Sequence, residues 1–242
     1  MTFRDTRSTI LVSLAMGLTL SACGSATNPE PDDNQMTAEP AGDDTMATLP
    51  VPHRVAFMAG HVTAGLALYR AGAASEASPH LLHPVSETHA AERVGIDALG
   101  FDAAPFEAVS AALEENRPAA EVEPMLQAAE ANLTLVRRNA GGDPKNIIDY
   151  LMDTTDEEYA IGVRDGVVTD AGEYQDAYGF AVVALETAQS LPDATRSGTE
   201  GELRALVDLW PAGGPLAASK PPSNSAVTAQ TARVRAALAE SN

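Results

Sequence analysis

Side chains that can bind a metal are concentrated in one part of this chain. The five histidines lie in or beside the first two helices that the sequence predicts: His53, His61, His80, His83 and His89. His83 and Glu87 are four residues apart, a spacing that places two side chains one above the other on a helix. Imidazole nitrogen and carboxylate oxygen together bind first-row transition metals. A surface pair, with His80 capping a turn, explains the spacing equally well, and both interpretations stay open here.

His61 lies on the shoulder of the apolar face of the first predicted helix. Two consecutive antiparallel helices would bring it close to His80 and His83, which favours a shared metal site. A buried histidine that bonds to a backbone carbonyl is the alternative. His89 and Glu92 have the spacing of an ordinary surface pair, and we predict that role for them.

Acidic residues in the second half of the chain could complete such a site. Glu158 lies on the fifth predicted helix, and Glu173 and Asp176 share a face at the start of the sixth. Acids at a helix amino terminus are also favoured by the helix dipole, which is the purely structural explanation. Tyr174 and Tyr178 point to the other side, where we expect core residues whose hydroxyls reach a polar partner.

The spacing of apolar residues predicts the helices that must position these groups. Apolar residues recur at helical intervals after Val51 and are separated by short Gly/Pro turns. The predicted helices cover residues 51–72, 84–99, 104–115, 120–139, 144–165, 171–190, 202–209 and 227–238. No alternating strand is evident, only a brief extended connection at Val167 and Val168. The sequence therefore predicts an all-α protein, an antiparallel bundle of about six to eight helices.

The amino terminus has the features of a lipoprotein leader. Arg4 and Arg7 precede an apolar run, Ile10–Leu20, that is too short to span a bilayer. The tetrad ending in Cys23, the single cysteine, resembles the lipobox of bacterial lipoproteins. That resemblance implies cleavage before Cys23, diacylglycerol on its sulfur and an acyl group such as palmitate on the new amino terminus, which together make a stable anchor. Residues 1–22 are thus predicted to be a signal peptide.

The leader is followed by an acidic, proline-rich segment with almost no large apolar side chains. We predict a lipid anchor and disordered tether over residues 23–49 and a helical domain over residues 50–242. In the lipoproteins that this leader resembles, an aspartate after the cysteine often causes retention in the inner membrane, and Gly24 and Ser25 stand in its place. The resemblance therefore implies a location at the outer membrane, with the domain facing the periplasm.

Charge and motifs exclude several functions. The formal net charge is −19, because 34 acidic residues outnumber 15 basic ones. Nucleic-acid binding is excluded, since it requires Lys and Arg to neutralise phosphates, whereas cations are attracted to such a surface. The sequence has no glycine-rich phosphate loop, no serine nucleophile elbow and no cysteine available for catalysis. Nothing in the sequence requires the protein to be an enzyme. A metal-dependent enzyme is the weakest of the three functions considered, after metal binding and a scaffold role.

Two neighbouring segments resemble a known family. Glu157–Gly166, followed by Glu173–Phe180, resembles the extracytoplasmic helical segment that precedes the membrane domain of bacterial high-affinity iron permeases. Gly60-His61 and the run His80–Pro84 are similar to motifs of related periplasmic proteins. The permeases carry an Arg-Glu-x-x-Glu motif within membrane helices, and this chain lacks it. The resemblance implies an anchored, soluble relative of the iron-handling domain rather than a transporter.

These observations combine into one predicted site and one predicted function. The predicted metal ligands are His61, His83, Glu87, Glu158, Glu173 and Asp176, with His80, Tyr174 and Tyr178 as further candidates. The bound ion is expected to be iron, with zinc or copper as alternatives. The predicted function is that of an envelope lipoprotein that binds this cation and supports metal uptake or buffering, with an envelope metal-uptake protein as a partner. The alternative is a helical scaffold that binds another envelope protein without a metal.

Overall fold

The computed structural model describes residues 43–86, 90, 92–212, 214–217 and 220–240. Nearly all the regular structure in that part of the chain is helical, and the prediction of an all-α protein is confirmed. The helices are α1 Asp43–Thr48, α2 Val51–Arg70, α3 Ala74–Leu82, α4 Ala104–Glu114, α5 Ala119–Ala140, α6 Pro144–Gly162, α7 Ala171–Ala188, α8 Asp193–Val207 and α9 Asn224–Ala239. Two-residue strands, β1 (Val163–Arg164) and β2 (Val167–Val168), pair antiparallel between α6 and α7.

The predicted helix over residues 84–99 is wrong. The chain instead forms α3 before this segment and then short 3-10 turns at His83–Val85 and Asp97–Leu99. Ser86 is extended, with φ −65° and ψ 147°, so the helix cannot continue past Val85. Pro79 lies inside α3 and removes one of its backbone hydrogen-bond donors. Because proline is unfavourable inside a helix, the sequence did not predict α3.

Two other boundaries differ from the sequence prediction. Helix α8 begins at Asp193, directly after Pro192, rather than near Glu202. Helix α1 falls within the segment predicted as tether. The predicted signal peptide and Cys23 lie outside the described residues, so they stay predictions. Within the described ranges no helix is both long and apolar enough to span a membrane.

Helix α7 is the central element around which the site is built. Most of its side chains are buried, and it packs antiparallel to α6, to which the β1–β2 hairpin connects it. Asp165 and Gly166 make the hairpin turn with positive φ angles of 52° and 74°. Helix α7 also packs against α2, and α2 packs against α3. The first turn of α7 therefore lies close to both amino-terminal helices that carry histidines.

Candidate metal centre

Two glycines let α2 and α7 approach each other closely. Gly60 on α2 faces Gly179 on α7, and a Cβ atom placed at Gly179 would lie 2.9 Å from the carbonyl carbon of Gly60. Non-bonded carbon atoms normally stay about 3.5–4.0 Å apart, so only glycine fits at position 179. This contact brings His61, which follows Gly60, up to Asp176 on the neighbouring turn of α7.

His61, His80 and Asp176 form a buried triad in which both imidazoles face one carboxylate oxygen. The Nδ1 atom of His61 lies 2.7 Å from Oδ1 of Asp176, and Nδ1 of His80 lies 2.8 Å from the same oxygen. One possible ligand atom from each residue lies within 4.8 Å of the other two, so the triad could hold a metal ion. The three residues come from α2, α3 and α7.

Asp176 is ionised although it is buried. Burial alone would raise the pKa of Asp176, but the charge of His61 and hydrogen bonds from both imidazoles lower that pKa far below its usual value. Burial likewise opposes protonation of His80, but the hydrogen bond and charge of Asp176 outweigh it, and the pKa of His80 is raised. The triad thus holds its carboxylate in the charged form that a cation requires.

Two further polar residues extend the hydrogen bonding from His80 towards solvent. The Nε2 atom of His80 lies 2.9 Å from Oε1 of Gln175, which is buried. The Nε2 atom of Gln175 donates to Oε2 of Glu76 at 2.6 Å. Glu76 is exposed in the first turn of α3. A continuous chain of hydrogen bonds therefore runs from the triad to the surface.

His83 lies beside the triad but bonds to a different carboxylate. Its ring stacks on that of His61, with centroids 3.6 Å apart, and its Nε2 atom lies 3.0 Å from both carboxylate oxygens of Glu92. Glu92 is only 3% exposed, and Arg54 donates to its backbone carbonyl at 3.0 Å. The predicted surface role of Glu92 is wrong, and His89 lies outside the described residues.

Glu158 and Glu173 lie next to the triad, on α6 and α7. Their side chains hydrogen-bond to each other. Burial first, then this bond and the charges of Glu173 and Asp176, raise the pKa of Glu158 far above its usual value. Glu158 therefore keeps its proton at neutral pH and adds no charge of its own beside Asp176.

The other predicted ligands lie elsewhere or are not described. Glu87 is outside the described residues, so its role stays a prediction. Tyr174 is fully buried, with its ring centroid 5.8 Å from that of Tyr159 and 5.9 Å from that of Trp210. Tyr178 also packs against Trp210. Both tyrosines belong to an aromatic cluster of the core, as expected. The expected polar partner of the Tyr174 hydroxyl is not found among the described residues.

A cavity of about 370 Å³ opens beside the triad. Its lining includes all three triad side chains together with residues of their surroundings, namely His83, Gln175 and Glu76. An ion can therefore reach the ligand atoms from this side, and the cavity leaves room for water or further ligands.

The ligand atoms of the triad suit a first-row transition metal. Two imidazoles and one carboxylate with open positions are typical of iron(II) sites, and zinc and copper also accept imidazole. Ligands bound at about 2.1 Å lie roughly 3.0–3.4 Å from each other. The atoms that are now 2.7 and 2.8 Å apart would thus need to separate by about half an ångström. The imidazoles would also lose any proton on Nδ1.

Comparison with known proteins supports an iron context. Residues 144–242, which include α6 to α9, match the iron permease-associated 4-helix bundle domain. The predicted resemblance to the helical domain of iron permeases is therefore confirmed for this part of the chain. No curated protein and no solved structure matches the chain significantly. His61 and His80 precede the matched segment, and only Asp176 of the triad lies within it.

Sequence reasoning gave no role in the site to Gln175 and Glu76, and it left His80 as a further candidate only. A local signal was available, since Glu76 and His80 are four residues apart, the spacing that was used for His83 and Glu87. Gln175 directly precedes Asp176 in a helix that is otherwise mostly apolar, where a buried amide requires a partner.

Proposed function

We propose that this protein binds a first-row transition-metal cation, with iron as the natural occupant, and supports iron uptake or buffering in the cell envelope. The observation that carries this proposal is the triad of His61, His80 and Asp176, whose ligand atoms converge beside a cavity. The match of residues 144–242 to an iron permease-associated domain favours iron over zinc and copper.

The charge around the site also supports cation binding. The chain has a net charge of −19, and such a surface raises the local concentration of cations. Asp176 is ionised within the triad, and Glu173 lies close enough to raise the pKa of His80 as well. Binding releases imidazole protons, so acidification should weaken it.

The location is a second part of the proposal. Cys23 lies at the end of a lipobox-like tetrad, and we propose that it is acylated and holds the protein at the outer membrane, facing the periplasm. Cys23→Ser should leave the precursor unprocessed and free of lipid, and mass spectrometry with membrane fractionation will measure both. A Cys23→Ser variant that fractionates like the parent, with no lipid on parental Cys23, would refute this part.

Calorimetric titration tests the metal proposal directly. The purified protein, stripped with a chelator, is titrated with ferrous, ferric, zinc and cupric ions. His80→Ala and Asp176→Asn should each weaken binding by at least about tenfold, since each removes a ligand. His53→Ala is the matched control, because His53 stacks on Tyr150 outside the triad, and it should bind like the parent.

Each result of the titration has a clear reading. A parent that binds none of these ions refutes the metal proposal and favours the scaffold alternative. A parent that binds, with both triad variants unchanged, keeps metal binding but refutes the triad as its place.

A further inference from the structure

The imidazole of His61 is enclosed by three other rings. The ring of His83 stacks on it, with centroids 3.6 Å apart and an angle of 12° between the ring planes. Phe57 and Phe180 meet it nearly at right angles, with centroid distances of 4.6 and 5.2 Å. These contacts restrict the rotation of the His61 side chain. They hold it in the orientation in which its Nδ1 atom lies 2.7 Å from the carboxylate of Asp176.

Glu92 fixes the ring that stacks on His61. Both of its carboxylate oxygens lie 3.0 Å from Nε2 of His83, and both side chains are buried. The segment that carries Glu92 is tied to α2, because the guanidinium of Arg54 donates to the backbone carbonyls of Glu92 and Val94 at 3.0 and 2.6 Å. The ring of His83 therefore cannot turn away from His61 without breaking a buried hydrogen bond.

The stacking itself excludes His83 as a ligand of the ion that His61 binds. An imidazole binds a metal through the lone pair of a ring nitrogen, and this lone pair lies in the plane of the ring. The planes of His61 and His83 are almost parallel, and the ring centroids are 3.6 Å apart, so one ion cannot lie in both planes. The contribution of His83 to the site must be a different one.

We propose that His83, held by Glu92, is a positioning residue whose ring orients the imidazole of His61 towards the cation without binding the ion itself. This inference rests on the proposed function, because it names a residue that prepares a ligand of the same site. Groups that orient a metal-binding histidine usually do so through hydrogen bonds. His83 acts through the contact of two ring faces instead, so a flat ring without nitrogen atoms should be able to replace it.

Zinc titration of three variants separates a positioning ring from a ligand. His83→Ala allows the ring of His61 to turn and should weaken zinc binding by about 10–100-fold, as the loss of an orienting partner does. Glu92→Leu should weaken it as well, because His83 keeps its ring but loses the contact that fixes it. The double variant His83→Phe/Glu92→Leu should recover most of the affinity, since phenylalanine supplies the ring face and no buried carboxylate is left unpaired.

Phe106→Leu is the matched control for the loss of a buried aromatic ring. Phe106 is fully buried and stacks on Phe101, with centroids 5.5 Å apart. It belongs to α4 and does not line the cavity beside the triad. This change should lower stability through poorer packing but leave zinc affinity unchanged.

Two spectroscopic measurements show how the variants act. The visible spectrum of bound cobalt(II) depends on the number and type of its ligands, so the parent and the double variant should have the same spectrum. In the metal-free protein, NMR measures nuclear Overhauser effects between the ring protons of His61 and those of Phe57 and Phe180. His83→Ala should change these effects, and the double variant should keep them.

The outcomes separate this inference from the proposed function. A double variant that binds zinc no better than His83→Ala, or whose cobalt spectrum differs from that of the parent, overturns the positioning role. Parental zinc affinity in both His83→Ala and Glu92→Leu overturns it too. If the parent binds neither zinc nor cobalt while the nuclear Overhauser effects respond as expected, the orientation of His61 by His83 is supported and the proposed function is refuted.

Discussion

Replacing Gly179 with alanine tests whether the close crossing of α2 and α7 assembles the triad. The new Cβ atom would lie 2.9 Å from the carbonyl carbon of Gly60 and 3.1 Å from the backbone nitrogen of Ala64. Backbone atoms cannot rotate away as a side chain can. The carbonyl oxygen of Gly60 would lie closer still. Because non-bonded carbons need at least about 3.5 Å, the two helices must separate by at least roughly 0.6 Å.

That separation is large on the scale of the triad. It would lengthen the contact between His61 and Asp176 from 2.7 Å to roughly 3.3 Å, beyond the normal range of a hydrogen bond. Overpacking lowers the free energy of unfolding by about 3 kcal/mol at the upper end of its usual range. Replacing a helical glycine with alanine raises it by about 1 kcal/mol. We expect a net loss of about 2 kcal/mol, or roughly 4–8 °C in Tm, together with weaker metal binding.

Urea unfolding followed by circular dichroism measures the loss, and calorimetric titration measures the binding. Gly198→Ala is the control, because Gly198 is also helical but has open space around it. This change should stabilise the protein by about 0.5–1 kcal/mol and leave metal binding unchanged. If Gly179→Ala were as stable as Gly198→Ala and bound metal normally, the close crossing would not be what builds the site.

Two further predictions concern pH. The folded-state pKa of Asp176 is lowered from 3.8 and that of His80 is raised from 6.5, so the stability that this pair contributes should be complete between those values. This contribution should decline as pH falls through the folded pKa of Asp176 or rises through that of His80. The free energies of urea unfolding of the chelator-treated parent and of Asp176→Asn should therefore differ most inside this window. A difference that stays constant at every pH would contradict the pairing. The pKa of Glu158 is raised from 4.5 to about 10 in the fold. Above pH 4.5 the unfolded chain therefore loses this proton while the folded protein keeps it, and stability falls as pH rises. Glu158→Gln should raise the free energy of unfolding by on the order of 1 kcal/mol at neutral pH and leave it unchanged below pH 4.5, whereas a loss of stability at neutral pH would refute the burial argument.

The sequence alone predicts a helix correctly where its start is set by neighbouring residues and not by tertiary contacts. The helix predicted from residue 144 does begin at Pro144, and the side chain of Asp143 accepts from the backbone nitrogen of Lys145 at its start. The helix predicted from residue 171 does begin at Ala171, and the side chain of Asp170 caps it. Such signals involve residues within one turn of each other, so they can be recognised from the sequence without knowledge of the fold.

Local signals failed where tertiary contacts compete with them. Pro79 and Pro84 made residues 74–99 look like a loop followed by a helix, whereas the chain forms α3 and then turns. Arg54 holds this turn region by donating to the backbone carbonyl of Val94 at 2.6 Å, a contact across 40 residues of sequence. The same region contains Glu92, which the sequence assigned to the surface and which the fold buries against His83.

The residue types of the site could be foreseen, but their combination could not. Histidines near the first helices and acids at the start of α7 were visible in the sequence, and so was the composition that favours a cation over an anion. Only the tertiary structure decides that His80, rather than His83, shares Asp176 with His61. Asp176 meets His61 because Gly60 and Gly179 let α2 and α7 cross closely. It meets His80, 96 residues away in the sequence, because α3 packs on α2. Sequence spacing sets which side chains share a face of one helix, whereas helix packing sets which faces meet.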